Sequence, residues 1–437
     1  MIDMAAAQLS TLTGLVSSKT GIIRRLNRRM TAADEPPVPV IFDSYLSHFD
    51  FKTGEDLERG ACGKGLTEIA AQIGAIGEAI EHYCASHARL RRVRRARIAD
   101  LPRAIAPPDF VLYSDAQYAR AGFRPAKWQP DAEIAWLEVL ELPGRTPVWI
   151  PACLVYLNFS GQQPQDFLCP PTSSGSAAGP DVDSAILSGL IEVAERDAFM
   201  TTWLNRLSVP MLDYSSLGGA CGTIRDHYAR YGVDARAFLL ATDLPVHCVM
   251  AIGLDTTGSG PAAVVGLGCS ANPETALRRA LFEVCQVRPS ERKHFADGDA
   301  AKMNSYSDVH TLDEHALYFV RPDHLNELDF LQAGGTVRIG DLPHRSTGSV
   351  AGDLEFLVAA LRDKGSTPLY ADLTTPDLDE FPIRVVRALA THLQPIAFGH
   401  DQQRLGGTRL YELPRMLGYG ERTRTEADLN PCPHPIA

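Results

Sequence analysis

The sequence predicts a mixed α/β (α+β) protein in which helices pack on mixed β-sheets, and three observations predict it. Long segments with apolar residues at helical spacing alternate with short runs rich in Val, Ile, Leu and Trp. Gly and Pro turn signals separate the two kinds without a low-complexity linker, which favours one large unit over residues 1–437. The third observation is an echo: three of the helical segments carry acids or amides at three- and four-residue spacing among apolar neighbours. It hints at internal pseudo-symmetry over too short a similarity to establish a duplication.

Taken in order, the run from Thr20 to Arg25 reads as a short strand, and Val38 to Phe42 as another after the Pro36-Pro-Val-Pro break. Gly60 to Thr67 reads as a Gly-rich turn whose Thr67 caps a helix from Glu68 to His87. Helical character continues or resumes to about Ile105, and Pro107-Pro108 ends it. Ile134 to Glu141 and Val148 to Leu157 read as strands around a Pro-Gly turn at 143–144. A Gly-rich loop beginning at Ser173 then feeds the central helix, which reaches Trp203. Three strands follow, from Ala235 to Thr242, Val246 to Leu254 and Ala262 to Gly266. Pro273 and Glu274 open the third acidic helix, 295–310 is a polar loop, 353–365 a helix, and Pro368 to Leu373 a strand. The chain closes without periodicity on Pro431-Cys-Pro433-His-Pro435-Ile-Ala437.

The net charge of −11 argues against bulk nucleic-acid binding. Two basic runs, Arg24 to Arg29 and Arg89 to Arg97, stand out locally; the second suits an acidic peptide or nucleic acid, or a solvated helix face. Nine scattered cysteines without CxxC or zinc spacing point to a reducing, cytoplasmic setting without structural zinc. There is no apolar signal core and no apolar run of membrane-spanning length, so no membrane partner is expected.

The chemistry gathers at the echoed helices. In the central one Glu192 and Glu195 lie about 60° apart around the axis, and Ser188 shares the face of Glu192. Glu78 and Glu81 repeat the spacing after Gly74, and Glu283 and Gln286 offer an acid and an amide. Like charges repel, more so when partly buried, and a bound cation would remove the penalty. Two readings stay open here: ordinary surface pairs on three amphipathic helices, or three helices converging to present oxygens to a metal. Carboxylates without His or Cys suit magnesium better than zinc or iron. Arg196, Arg288 and Lys64 bring cations near, so a magnesium-nucleotide site fits the set. No P-loop, kinase or GxSxG motif is present.

These residues resemble the YcaO superfamily. The resemblance rests on Gly63-Lys-Gly-Leu-Thr with the later GEAIE run, on Ser173-Ser-Gly-Ser-Ala-Ala-Gly with EVAERDA and Trp203, and on ALFEVCQVR. Weaker matches are Thr20-Gly-Ile-Ile-Arg, Val148-Trp-Ile-Pro-Ala, Asp372-Leu-Thr-Thr-Pro-Asp377 and Gly406-Gly-Thr-Arg409. Gly74 stands where the family often has Ser, and Ser184 where it often has Glu.

The resemblance implies an enzyme that uses ATP and Mg2+ to act on peptide backbone amides. It places Glu78, Glu81, Glu192 and Glu195 at the metal, and Lys64, Ser173, Ser188, Arg196, Glu283, Gln286 and Arg288 around the nucleotide. Azoline-forming members, the cyclodehydratases of thiazole/oxazole-modified peptide biosynthesis, typically end in Pro-x-Pro-x-Pro, as here at Pro431, Pro433 and Pro435. The resemblance makes 421–437 a Pro-rich tail that reaches the active site and gives the carboxylate of Ala437 a catalytic role. The implied partners are a ribosomally made precursor peptide, a separate E1-like protein that binds its leader, a flavin-dependent dehydrogenase, and a second copy of the chain in a homodimer. Thioamide formation and a non-catalytic ATP-binding scaffold are the alternatives.

Overall fold

Each of the three acidic helices lies on a different sheet, and the rest of the fold follows from those three packings. The computed structural model describes residues 2–47, 49–50, 55–56, 60–86, 93–159 and 163–436. The first helix, Glu68–Ser86, covers a three-stranded antiparallel sheet of Ile23–Arg28, Val40–Leu46 and Gly60–Gly65. Thr67 caps it as expected: the Ala70 N–H donates to Oγ1 of Thr67 at 3.2 Å.

The expected Gly-rich turn at Gly60 is instead the strand Gly60–Gly65, paired with Val40–Leu46 from Val40↔Gly65 to Tyr45↔Gly60. Its small residues serve close packing: a Cβ on Gly63 would fall 2.0 Å from the Ala75 nitrogen of the helix above.

The central helix, Val182–Leu204, starts at Asp181, whose side chain accepts from the Ser184 N–H at 2.8 Å. It packs on Arg384–Ala390, the strand before the last in the series Val93–Ala96, Ile134–Glu141, Pro368–Asp372, Arg384–Ala390 and Ser176–Gly179. Thr146–Pro151 pairs with Ile134–Glu141 in the same sheet. Its other side meets Ala263–Ser270, the edge of a sheet ordered Ala263–Ser270, His247–Asp255, Val233–Leu239, Met211–Asp213, Thr336–Arg338. The third acidic helix, Pro273–Asp297, covers that edge strand and begins with an Asn272 cap and Pro at its first position.

Helical character does not extend to Ile105, because Val93–Ala96 is an edge strand. Its arginines are held locally: Arg95 pairs with Asp166 at 2.6 Å, and Arg97, just past the strand, with Asp100 at 2.9 Å. Charges on an edge strand discourage further pairing, so the described part of this run sits on a sheet edge and not on a solvated helix. The second expected strand at 148 ends at Pro151. Five further helices, Ile2–Leu12, Gly219–Arg230, Leu312–Phe319, Val350–Asp363 and Arg409–Met416, complete the main elements among the described residues.

The main core surrounds the central helix, with Phe199, Trp203 and Leu204 fully buried in it. The chain's end is part of that core. Cys432, His434 and Ile436 are buried, and Pro433 and Pro435 with them, while Pro431 is exposed. Among the described residues no helix is long and apolar enough to cross a membrane.

Candidate active site

The three helices converge on one cleft of about 560 Å³, lined by Lys64, Ser188, Glu192, Glu195, Arg196 and Glu283, among others. That size suits a nucleotide-sized ligand. A larger cavity of about 920 Å³ opens beside Met211, Arg225 and Arg236, but its arginines are already paired, Arg225 with Asp226 and Arg236 with Asp234. The smaller cleft is therefore the candidate site.

Each acid is held by backbone or by a cation. The Cys62 N–H donates to Glu78 Oε2 at 3.3 Å, and the Ala178 N–H to Glu81 Oε1 at 2.7 Å. The Gly175 N–H donates to Glu192 Oε2 at 3.2 Å, which ties the Gly-rich loop to the central helix. Gly175 has φ +86°, the left-handed region that glycine adopts freely. Arg196 donates to Glu192 Oε1 at 3.2 Å and stands 3.1 Å from Glu195 Oε1. Lys64 Nζ is 3.6 Å from Glu283 Oε2.

Burial acts against these carboxylates as charged groups. It is the largest cause of the upward shift at Glu78, opposed by Lys64 and the Cys62 N–H and increased by Glu283 and Glu192. Glu81 is pushed well up by burial, with the Ala178 N–H opposing and Glu78 and Glu192 adding. Burial pushes Glu195 up to about 7, against Arg196 and with help from Glu283 and Glu192. Burial is the largest cause at all three, and the neighbouring acids add to it.

The residues expected from the sequence do not all fall at the cleft. Lys64, Ser188, Glu192, Glu195, Arg196 and Glu283 line the cleft, and Glu78 adjoins it through its interactions with Lys64 and Glu283. Glu81 sits one turn further along, half-buried and feeling the charges of Glu78 and Glu192. Ser173 is exposed, its carbonyl accepting from the Ser176 N–H at 2.8 Å. Gln286 keeps a buried Oε1 with no donor among the described residues. Arg288 is placed elsewhere: its guanidinium pairs with Glu35 and lies 5.6 Å from the Tyr228 ring centroid, away from the cleft lining. Helical spacing gave its distance along the axis and not its direction, and its partner Glu35 lies far away in the sequence. Arg278 and Arg279 line the cleft and were not anticipated, although they stand one turn before Glu283.

The tail expectation has two parts. Ala437 lies outside the described residues. Up to Ile436 the tail is packed, not loose. Trp203 Nε1–H donates to the Cys432 carbonyl at 2.9 Å, and His315 Nδ1 bonds the His434 carbonyl at 2.8 Å. His315 Nε2 accepts from the Gly399 N–H at 2.9 Å, which fixes the proton on Nδ1. His434 stacks on His315 with centroids 3.9 Å apart and stays well below the ordinary histidine range through burial, His315 and the charge of Arg196. The described tail is thus seated on Trp203 and Phe199 of the central helix and on His315.

Among the described residues, no three His, Cys, Asp or Glu side chains gather to hold a bare ion. Magnesium bound with a nucleotide takes one or two carboxylates, phosphate oxygens and water, and the acids that line this cleft fit that mode.

Residues 62–394 match the family model described as YcaO cyclodehydratase, ATP- and Mg2+-binding. The chain belongs to the YcaO family, a class of ATP- and Mg2+-binding proteins. A heterocyclase solved in complex with substrate and cofactor superposes with a TM-score of 0.82 at 24% identity, over 99% of this chain and 57% of its own. The heterocyclase TruD gives 0.69 at 26% identity, over 85% of this chain and 52% of its own. The chain thus spans little more than half the length of these two. YcaO from Methanopyrus kandleri, bound with AMPPCP and Mg2+, gives 0.64 at 23% identity, over 87% and 89%.

Proposed function

We propose that the protein is an ATP-dependent cyclodehydratase that converts Cys, Ser or Thr residues of a ribosomally made peptide to thiazolines or oxazolines. The observation that carries this reading is the Pro-x-Pro-x-Pro end, packed against Trp203 and Phe199 of the same central helix that presents Glu192, Glu195 and Arg196 to the acid cleft. The likeness to two heterocyclases supports it. In this reading residues 1–437 form a single unit, with 421–437 the tail that serves the active site.

ATP bound with magnesium would supply the phosphoryl group that activates the amide oxygen as a leaving group, and the metal would balance its charge. Glu78, Glu81, Glu192 and Glu195 would hold the metal. Lys64, Arg196, Ser188, Glu283 and Gln286 would hold the nucleotide, with Arg278 and Arg279 added from the cleft lining. The Ala437 carboxylate would take the proton from the attacking side chain or orient it. A peptide and a separate leader-binding partner complete the system, in a homodimer and with a flavin-dependent dehydrogenase downstream.

The test is ATP consumption by the purified chain with peptide and partner, read together with product mass. Loss of one water per ring is expected. Exchange of oxygen for sulfur would replace the reading with thioamide formation, and ATP use without peptide dependence would remove it. For the tail, adding residues after Ala437 should suppress ring formation and leave nucleotide binding intact. Extension is cleaner than deletion of 433–437, which strips His434 and Ile436 from the core. A tail-extended chain that cyclises at the normal rate would end the catalytic role of Ala437.

A further inference from the structure

Behind Arg196, away from the acid cleft, lies a second cavity of about 70 Å³. Arg387 and Arg404 line it together with Arg196, Cys169 and Gln394. Both new arginines are 6% exposed, and among the described residues neither is in an ion pair. Arg387 donates to Ser176 Oγ at 3.2 Å and Arg404 to the Pro170 carbonyl at 3.4 Å. The Nε–H of each is buried with no acceptor. Unpaired buried guanidinium groups are costly, and buried N–H groups without a partner are rare.

The rest of the molecule shows how such a group is normally satisfied. Arg409 is comparably buried and takes two carboxylates, Asp197 and Asp243. At the small cavity the nearest balancing charges are less direct. Glu192 acts on Arg387 from the neighbouring cleft. Cys169 lines the same cavity and is drawn down to about 6, by its hydrogen bond with Cys153 first and then by Arg404 and Arg387, against its burial. The surroundings therefore favour negative charge.

We propose that the cavity between Arg196, Arg387 and Arg404 is a binding site for inorganic phosphate. At roughly 10–15 Å³ for each water-sized body, the cavity holds about five heavy atoms, the size of that ion and too small for a base or a peptide residue. Arg387 and Arg404 suit an ion that carries more than one negative charge, and their planar forks match its oxygens; Arg196, already paired with Glu192 and Glu195, lines the same cavity. Arg196 belongs to both spaces, so the ion would lie one side chain from the acid cleft. That its source is ATP consumed in ring formation rests on the function proposed above; the binding itself does not.

The experiment is thermal unfolding and calorimetry of the full chain with sodium phosphate, in the absence of peptide, against chloride and acetate at equal ionic strength. Saturable stabilisation by phosphate alone is expected. It should persist with Mg2+ and AMPPCP at saturation, because the ion has its own cavity. Arg404→Lys and Arg387→Lys keep the charge and lose the fork, and should weaken phosphate at least about tenfold. No saturable effect in the unmodified chain, an equal effect of acetate, or loss of the effect with AMPPCP would each overturn the site. Unchanged affinity in both variants would do the same. If ring formation fails while phosphate still binds, only the cyclodehydratase reading is lost.

Discussion

Consecutive residues of the central helix carry charge in two opposite ways. Glu195 and Arg196 open on the cleft, where Glu78, Glu81, Glu192, Glu195 and Glu283 have only Lys64 and Arg196 as ion-pair partners among the described residues. Asp197, about 100° further round, is completely buried and fully satisfied. It accepts from Arg409 Nε at 2.9 Å and Nη2 at 2.7 Å, and from the Gln394 N–H at 2.7 Å, while Arg409 also reaches Asp243 at 2.6 Å. A buried charge with all its partners holds the fold. A set of acids short of partners stores a demand that a cation can meet. The EVAERDA run thus contains a structural acid beside two acids of the site, and its letters alone do not separate them.

The largest effect should come from breaking the satisfied side. Arg409→Met leaves Asp197 and Asp243 without their cation, and removing one partner of a buried pair costs about 3–5 kcal/mol. Urea unfolding should show that loss, whereas Glu192→Gln should remain folded and lose peptide-dependent ATP consumption. An Arg409→Met chain within about 1 kcal/mol of the parent would mean that the two sides of the helix do not differ in kind.

The next effect comes from the unsatisfied side. Glu195 has its folded value raised to about 7, above an unfolded carboxylate near 4.5. Its contribution to stability is therefore fully present below the unfolded value and is lost as pH rises through about 7. For that one group the loss approaches about 3 kcal/mol between acid and neutral pH. Melting of the metal-free chain should fall over this range, Mg2+ with AMPPCP should flatten the fall, and Glu195→Gln should remove its share. A metal-free chain whose stability rises from pH 5 to 8, with no change in Glu195→Gln, would contradict the raised carboxylate.

These two faces also show what the sequence could and could not tell. The acidic helices were legible because their period repeats within a few residues, and the Thr67 cap lies next to what it caps. Arg409 was legible as a motif, but its partner Asp197 is 212 residues away, and local spacing carries no such distance. The strand Gly60–Gly65 was hidden because close approach to a helix demands small residues, the opposite of the β-branched composition that marks a strand. Val93–Ala96 was hidden in a basic run, where edge-strand charge and helix-surface charge look alike. Arg387 and Arg404 stand in unrelated runs, and only the fold brings them to one cavity.

The smallest effect tests whether the acid face tolerates completion of its own pattern. Ser188 precedes Glu192 by one turn and lines the cleft, whereas Gly74 holds the matching place before Glu78. A glycine inside a helix costs up to about 1 kcal/mol relative to alanine, and somewhat less relative to serine. A Cβ on Gly74 would meet its nearest atom, the Gly63 Cα, at 3.4 Å, an ordinary contact, unlike the 2.0 Å clash on the facing Gly63. Gly74→Ser should therefore stabilise the chain by about 0.5 kcal/mol, and Gly63→Ala should destabilise it severely because the clash is with backbone. Chemical denaturation of the two variants reads both signs. If Gly74→Ser instead costs more than about 1 kcal/mol, the helix lies on its strand without slack. The glycine is then required by packing, and the acid face of the first helix cannot take the serine that the central helix carries.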